Sequence, residues 1–426
     1  MICSTPEQFR REINSGRRLS WRRGRSVLKG VLLGQLSGQE LADWNLIAAR
    51  ASVFLHAGYL NGLTSQLPDG DRFWYCLFYK DGSACGIAVF HLTTFRANKS
   101  QSINDDCVFT DLLRKSLTGN RTEANVMICG NAFATGEHGF LFLPHITASE
   151  SMEGICTVLS DIIDRERKQG KKISAVVAKD FYPRNKSVVK ALEKCGFRDF
   201  EVDPNMILPI PPEWRTFEDY LESMNTKFRT KAKAAFNRSA SLSIKSISPE
   251  EFRRESEHFY ALYLQVTSRA EYQLGVLTRE AFVALKENLK DRMIIRGYYL
   301  GDQLVGFLSA FDCGDRLDAH MVGIDYELNK SHGIYSSMLY EYVRLGIQMQ
   351  KKWIMYGRTA GEIKTTIGAF PVQLSCCIRH PGKISNLLLN WLFAYVKPNA
   401  FPVRDPWKKQ THTELRRRID EGPFCC

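Results

Sequence analysis

One pattern of apolar and polar positions occurs twice along the chain. In its first occurrence, residues 73–79 form a strand-like apolar run, Lys80-Asp81-Gly82 is a tight-turn sequence, and residues 84–92 form a second run, which together predict a β-hairpin. Ahead of it, Leu46, Ile47, Val53, Phe54, Ala57 and Leu60 recur at near-helical spacing across 44–63. Behind it come an apolar strand from 126, an amphipathic helix over 149–168, a buried strand over 173–178, a helix over 185–195 stopped by Gly196, and a strand over 197–208. The second occurrence opens with helical stretches at 214–221, 227–233 and 250–266. A hairpin follows over 293–300 and 303–311 around Gly301-Asp302, then a strand over 318–325, a helix over 336–350 and a strand over 353–356.

Helices, hairpin, then strand, helix and strand in the same order twice predicts duplication of one α/β (α+β) unit, each a mixed central sheet flanked by helices. Pro209-Ile210-Pro211-Pro212 marks the seam, because three prolines in four residues stop regular structure. The expected division is a basic arm over 1–40, a first domain over 41–210, a second over 211–380 and an apolar and basic C-terminal segment over 381–426.

Composition adds two constraints. The chain has 426 residues, ample for two domains, and 58 Lys+Arg against 46 Asp+Glu give a net charge of +12, which favours anionic partners such as phosphates, acidic lipid head groups or nucleic acid. The twelve cysteines form no C-x-x-C pair, and the adjacent pairs Cys376-Cys377 and Cys425-Cys426 lack zinc-finger spacing, so no metal is expected and the thiols read as buried in a reducing compartment. There is no charged and apolar leader and no run near the ~20 apolar residues that cross a bilayer. The expected location is therefore cytoplasmic. Two stretches bear on peripheral membrane contact: Arg10, Arg11, Arg17, Arg18, Arg22, Arg23, Arg25 and Lys29 face a single acid, Glu12, and the apolar 384–396 is flanked by Lys397, Arg404, Trp407, Lys408 and Lys409. The first is equally a solvated arm and the second equally a buried helix.

Candidate chemistry concentrates in 319–371. There a strand ending at Asp325 runs into Lys330-Ser331-His332-Gly333-Ile334-Tyr335, expected to be a turn that opens a helix with free backbone N–H groups, where a phosphate is favoured. In the first half, Glu137-His138 lies in a Gly-punctuated segment and pairs a carboxylate with an imidazole that could accept a proton; a plain surface turn is the alternative.

Several of these residues resemble the GNAT-fold acyltransferases, in particular the tandem branch of Fem-type aminoacyl transferases and BioF2-like acetyltransferases. The resemblance rests on Trp214-x-x-Phe217-x-x-Tyr220-Leu221 leading to Lys227-Phe228-Arg229, on Val305-Gly306-Phe307, on Tyr356-Gly357-Arg358-Thr359-Ala360-x-x-Ile363-Lys364, and on Gly368-Ala369-x-Pro371. It implies transfer of an acyl group from a thioester or ester to an amine, with Lys330-x-x-Gly333-x-Tyr335 standing where the family has Gln/Arg-x-x-Gly-x-Gly/Ala around the pyrophosphate of CoA. Tyr335 departs from that pattern, which widens the donor from acyl-CoA to any phosphate-bearing acyl carrier. No matching loop lies between Phe142 and Gly154, so the first domain is expected to be cofactor-free and to shape the acceptor side.

Acyl transfer to an amine needs a base, donors for the developing oxyanion and a proton for the leaving thiolate. His320 and Asp325 are candidate bases, Tyr335 and Tyr356 candidate acids, and Arg358, Thr359 and Lys364 candidate binders of a phosphate or carboxylate. Each has a structural alternative: a core histidine, chance tyrosines, an ion pair. The implied function is an N-acyltransferase acting on an amine, such as that of a lipid or cell-envelope precursor. The rivals are aminoacyl-tRNA-dependent transfer in peptidoglycan synthesis, with Lys227, Arg229, Lys231 and Lys233 on a tRNA, and a non-catalytic GNAT pair at a membrane; those four cations equally suit lipid or CoA phosphates, and a solvated helix face is the structural alternative.

Overall fold

The computed structural model describes residues 19–20, 27–96, 123–269, 275–382, 384–387 and 398–424. One mixed sheet runs through the whole molecule. Its first half holds β1 (Leu19–Ser20), β2 (Lys29–Leu33), β3 (Arg72–Lys80), β4 (Ser83–Arg96), β5 (Glu123–Cys129), the short β6 (Phe140–Phe142) beside β4, and β7 (Ile173–Phe181). β8 (Arg198–Pro209) follows, and the second half holds β9 (Leu242–Ser246), β10 (Met293–Leu300), β11 (Gln303–Asp312), β12 (Arg316–Ile324), β13 (Trp353–Met355) and β14 (Phe370–Arg379).

Both halves have the same internal order. An antiparallel meander, β2 to β5 or β9 to β12, ends beside a parallel strand, β7 or β13, reached through a crossover that includes a long helix. These helices are Ala148–Lys168, begun by a Thr147/Glu150 capping box, and Ile334–Gln348. The same strand pattern thus occurs in both units. The hairpin turn in the first unit has Asp81 at φ 50° and Gly82 at φ 84°, the left-handed pair that a two-residue turn between twisted strands requires.

The last strands of the two units are exchanged. β14, from the end of the second unit, lies between β7 and β8, and β8, from the end of the first, lies between β14 and β13. Leu374 and Cys377 of β14 and Met206, Ile207 and Leu208 of β8 are fully buried, so the seam is core. A second contact joins the units at the helices Ala57–Leu63 and Arg279–Leu289. A Cβ on Gly62 would stand 3.0 Å from the Leu285 Cα, so glycine is what lets these backbones approach.

Two expected helices are broken. The stretch 44–63 divides into Gly38–Ala48, a 3-10 turn at Val53–Leu55 and Ala57–Leu63, because Val53, Phe54 and Leu55 are all buried and no single helix face could hide three consecutive side chains. The stretch 250–266 divides at Glu255 into Pro249–Arg254 and Ser256–Thr267. Lys29, read as part of the basic arm, opens β2. The arginines at 10–25, the cysteines at 425–426 and residues 388–396 of the apolar C-terminal stretch lie outside the described residues. No helix among the described residues is long and apolar enough to cross a membrane.

Because the exchanged strands are shared core, Leu374→Ala should cost about 2–5 kcal/mol and lower one common unfolding transition. Circular dichroism and tryptophan fluorescence in urea are expected to shift together. Two separated transitions, only one of them moved, would show that the units fold independently.

Candidate active site

In each unit the parallel strand pair has a splay point, where its pairing stops. β12 and β13 pair only from Arg316 to Asp318 and from Trp353 to Met355, where β13 ends while β12 runs on to Ile324. β5 and β7 pair as far as Cys129 and Ala178. The gap beyond is bridged by the segment 131–138, where Ala134 O accepts from Lys179 Nζ, and Gly136 N donates to Asp180 Oδ2 at 3.0 Å. Glu137 accepts from Tyr182 N at 2.8 Å, Asn185 Nδ2 at 2.6 Å and Arg184 Nη2 at 2.8 Å. Where the two splay points face each other there is a cavity of about 430 Å³. Glu137, His138 and Lys179 line it from the first unit, Arg316, Asp318 and Met355 from the second.

The Asp318 side chain is 7% exposed and makes no hydrogen bond among the described residues, and burial pushes its pKa up to about 7 despite the opposing pull of Arg316. Arg316 stands two residues earlier on the same strand and so on the same face. Its Nε has no hydrogen-bond partner, and the nearest acid in an ion pair with it is the adjacent Asp315, at 3.7 Å.

No protein-family model matches the chain, and no curated protein matches it. Solved structures do. FemX is 10% identical over 79% of this chain and 95% of its own, with a TM-score of 0.47. The L-PGS of Bacillus licheniformis is 10% identical over 85% and 98%, at 0.47. A tandem GNAT protein from the clavulanic acid biosynthesis pathway is 10% identical over 83% and 99%, at 0.48.

The structure brings Glu137 and His138 to the cavity and takes most other candidates elsewhere. His138 is buried beside Phe54; its Nε2 faces Thr135 O at 3.0 Å and its Nδ1 faces Ser52 Oγ at 2.9 Å, the pattern of a neutral ring that donates through Nε2 and accepts through Nδ1. Burial, with Arg316 and Lys179 nearby, lowers its pKa to about 3. His320 donates through Nε2 to Phe133 O at 2.8 Å, its Nδ1 has no partner, and burial lowers it to about 4. Asp325 is a helix cap: Oδ1 accepts from Glu327 N at 3.0 Å and Leu328 N at 3.3 Å.

That cap corrects the expected phosphate turn. Asp325 starts a helix at once, Tyr326–His332, so Lys330, Ser331 and His332 form its last turn rather than a loop. Gly333 alone, at φ 59°, links it to the helix Ile334–Gln348, and the Tyr335 N–H is taken by Asn329 Oδ1 at 2.9 Å. Tyr356 is corrected too: it is buried and its hydroxyl donates to Leu339 O at 2.9 Å, which occupies the proton a leaving group would need. Lys364 donates to Tyr356 O at 2.6 Å, and burial lowers its pKa to about 7, so it is a strut of this bend rather than a surface cation. Thr359 is exposed. Arg358 forms an ion pair with Asp180 at 3.2 Å, the structural alternative that its sequence position left open.

Asp180, Lys179, Arg316 and Asp318 were not singled out in the sequence. Asp180 is fully buried at φ 65°, ion-paired with Lys179 at 2.6 Å and with Arg358, which together hold its carboxyl at about 2. The available signal was a charged pair, Lys179-Asp180, closing an otherwise apolar strand, and the alternation Arg316-Leu317-Asp318 opening another. Among the described residues no group of three His, Cys, Asp or Glu could hold a metal ion.

The buried imidazoles predict an acid-sensitive fold. Below about 6.5 the unfolded chain binds protons that His138 and His320 refuse until about 3 and about 4, so stability falls as pH drops. Asp318 acts oppositely: raised from 3.8 to about 7, it stabilises the fold at low pH and loses that contribution as pH rises through about 7. Between pH 7 and pH 5 the urea midpoint of the native chain should fall, that of His138→Asn should fall less, and that of Asp318→Asn should fall more. An unchanged slope in His138→Asn would contradict the neutral assignment.

Proposed function

We propose that the chain is an N-acyltransferase that moves an acyl group from acyl-CoA, or a related phosphate-bearing carrier, to an amine, with the reaction at the cavity between the splay points. The observation that carries this reading is the Asp318 carboxyl, facing a cavity without a hydrogen-bond partner and with its pKa raised to about 7, where a general base operates best. Beyond Asp318 β12 no longer pairs with β13, and the seven residues from Asp318 to Asp325 at about 3.3 Å each span roughly 23 Å, long enough for an extended carrier arm. The Gly333 corner supports the phosphate end: Lys330 is exposed there, and Arg238 lies against it, its Nε 3.9 Å from a Cβ placed on Gly333. Side-chain cations and the helix start would hold the phosphates, since Asn329 already takes the Tyr335 amide.

In this scheme the substrate ammonium gives one proton to Asp318, and the neutral amine attacks the thioester carbonyl. Collapse of the tetrahedral intermediate breaks the C–S bond, the amine's second proton goes to the departing sulfur, and Asp318 releases its proton to water. A second reading keeps the same base but takes its acyl group from an aminoacyl-tRNA. It is favoured by Lys227, Lys231, Lys233 and Arg238, all exposed on the helix Thr226–Arg238, which ends at the same corner.

Thiol release from acetyl-CoA and palmitoyl-CoA with an amine panel tests the first reading, and deacylation of charged tRNA the second. Asp318→Asn should lower kcat by roughly 10²- to 10⁴-fold. The native rate should fall as pH drops through about 7, because the protonated carboxyl cannot accept the amine proton, and the variant should lack that limb. A variant with native rate and native pH profile would remove Asp318 from the chemistry.

A further inference from the structure

The cavity wall has more cationic groups than it has carboxylates to neutralise them, and they are not equally engaged. Lys179 is held by Asp180 and by Ala134 O, Arg184 by Glu137, and Arg50 lines the cavity with an exposed side chain. Arg316 differs. It lines the cavity, its Nε is buried without a hydrogen-bond partner, and its one ion-pair contact is the long 3.7 Å approach to its chain neighbour Asp315. Nor does it pair with Asp318, although both side chains leave the same face of β12 two residues apart. A guanidinium fork and a carboxyl thus face one cavity side by side without neutralising each other. Beyond them the wall turns apolar, with Phe140, Phe142 and Ile146.

We propose that the acceptor is a free α-amino acid with an apolar or aromatic side chain, its carboxylate on the Arg316 fork, its amino group on Asp318 and its side chain against Phe140, Phe142 and Ile146. This rests on the transferase reading and names its acceptor. An α-amino acid carries a cation and an anion on one carbon, the complement of the Arg316 and Asp318 pair. The planar fork binds a carboxylate through two parallel hydrogen bonds, which a lysine could not supply. A plain amine would satisfy Asp318 and leave Arg316 partly buried without a counter-charge, a costly arrangement. Transfer follows the balance above: the ammonium gives one proton to Asp318, the N–C bond forms as the C–S bond breaks, the second amine proton leaves with sulfur, and the product is an N-acyl amino acid.

Binding is measured without a donor, by thermal shift and calorimetry, using L-phenylalanine and L-leucine, their decarboxylated counterparts phenethylamine and isoamylamine, and 3-phenylpropionate, which lacks the amine. The amino acids should bind the native chain, and the single-charge analogues should bind roughly 10- to 100-fold more weakly. Arg316→Gln should lose that preference while Arg316→Lys regains part of it, both with native circular dichroism. Product analysis with acetyl-CoA, palmitoyl-CoA and charged tRNA then separates the two levels. Amino-acid binding that depends on Arg316, with no acyl product from any donor, upholds the carboxylate site and overturns the transferase reading. Acylation of phenethylamine as fast as phenylalanine, unaffected by Arg316→Gln, overturns the inference and leaves the transferase reading standing.

Discussion

The pairing of β8 with β14 is the constraint on which the rest of the structure depends. Neither strand completes the unit that precedes it in sequence; each lies against the other's parallel pair. The two units therefore cannot separate without breaking a ladder that runs from Arg198 to Ile207 on one strand and from Phe370 to Ile378 on the other, with buried apolar side chains along it. Burial of that surface is worth roughly 25 cal/mol per Å², and it is realised only when both units are folded. The consequence for the site is positional. The splay points lie on either side of the shared strands, and both line one cavity.

Asp180 converts this arrangement into local geometry. A non-glycine residue at φ 65° inside a strand is strained by about 1–3 kcal/mol, and it persists where its surroundings offset the strain. Here the offset is polar: Lys179, the Gly136 amide and Arg358 from the second unit converge on one buried carboxylate. The left-handed turn aims consecutive side chains, Lys179 and Asp180, toward each other, and the ligands of that carboxylate draw the segment carrying Glu137 and His138 to the cavity rim. Arg358 thus acts as a clamp between units. With His138 neutral and Lys179 neutralised, Arg316 and Asp318 are left, with the exposed Arg50, as polar groups free to meet a ligand.

Much of the fold was legible in the residues. The two hairpins, the strands around 126, 173–178 and 318–325, and the helices near 149–168 and 336–350 occur where periodicity and turn chemistry place them, because each depends on local preference. The strand exchange was not legible, since the apolar runs at 197–208 and 370–379 read the same whichever neighbour they pair with. The phosphate turn failed for a related reason. Asp325 can close a strand or cap a helix, and only the amides of Glu327 and Leu328 decide between them. Glu137 and His138 line the cavity, each already engaged by protein partners, but Asp318 drew no notice: its significance lies in the hydrogen bonds it lacks, a tertiary property.

The central claim is that an acyl carrier lies along the splay of β12 and β13 with its reactive carbonyl at Asp318. A crystal structure with a non-hydrolysable thioether analogue of acetyl-CoA tests it most directly. The account predicts the ketone carbon within reach of the Asp318 carboxyl and the phosphates at the corner of Gly333, Lys330 and Arg238. An analogue bound with its ketone away from Asp318, or no binding to a chain that nevertheless releases thiol from acyl-CoA, would contradict it.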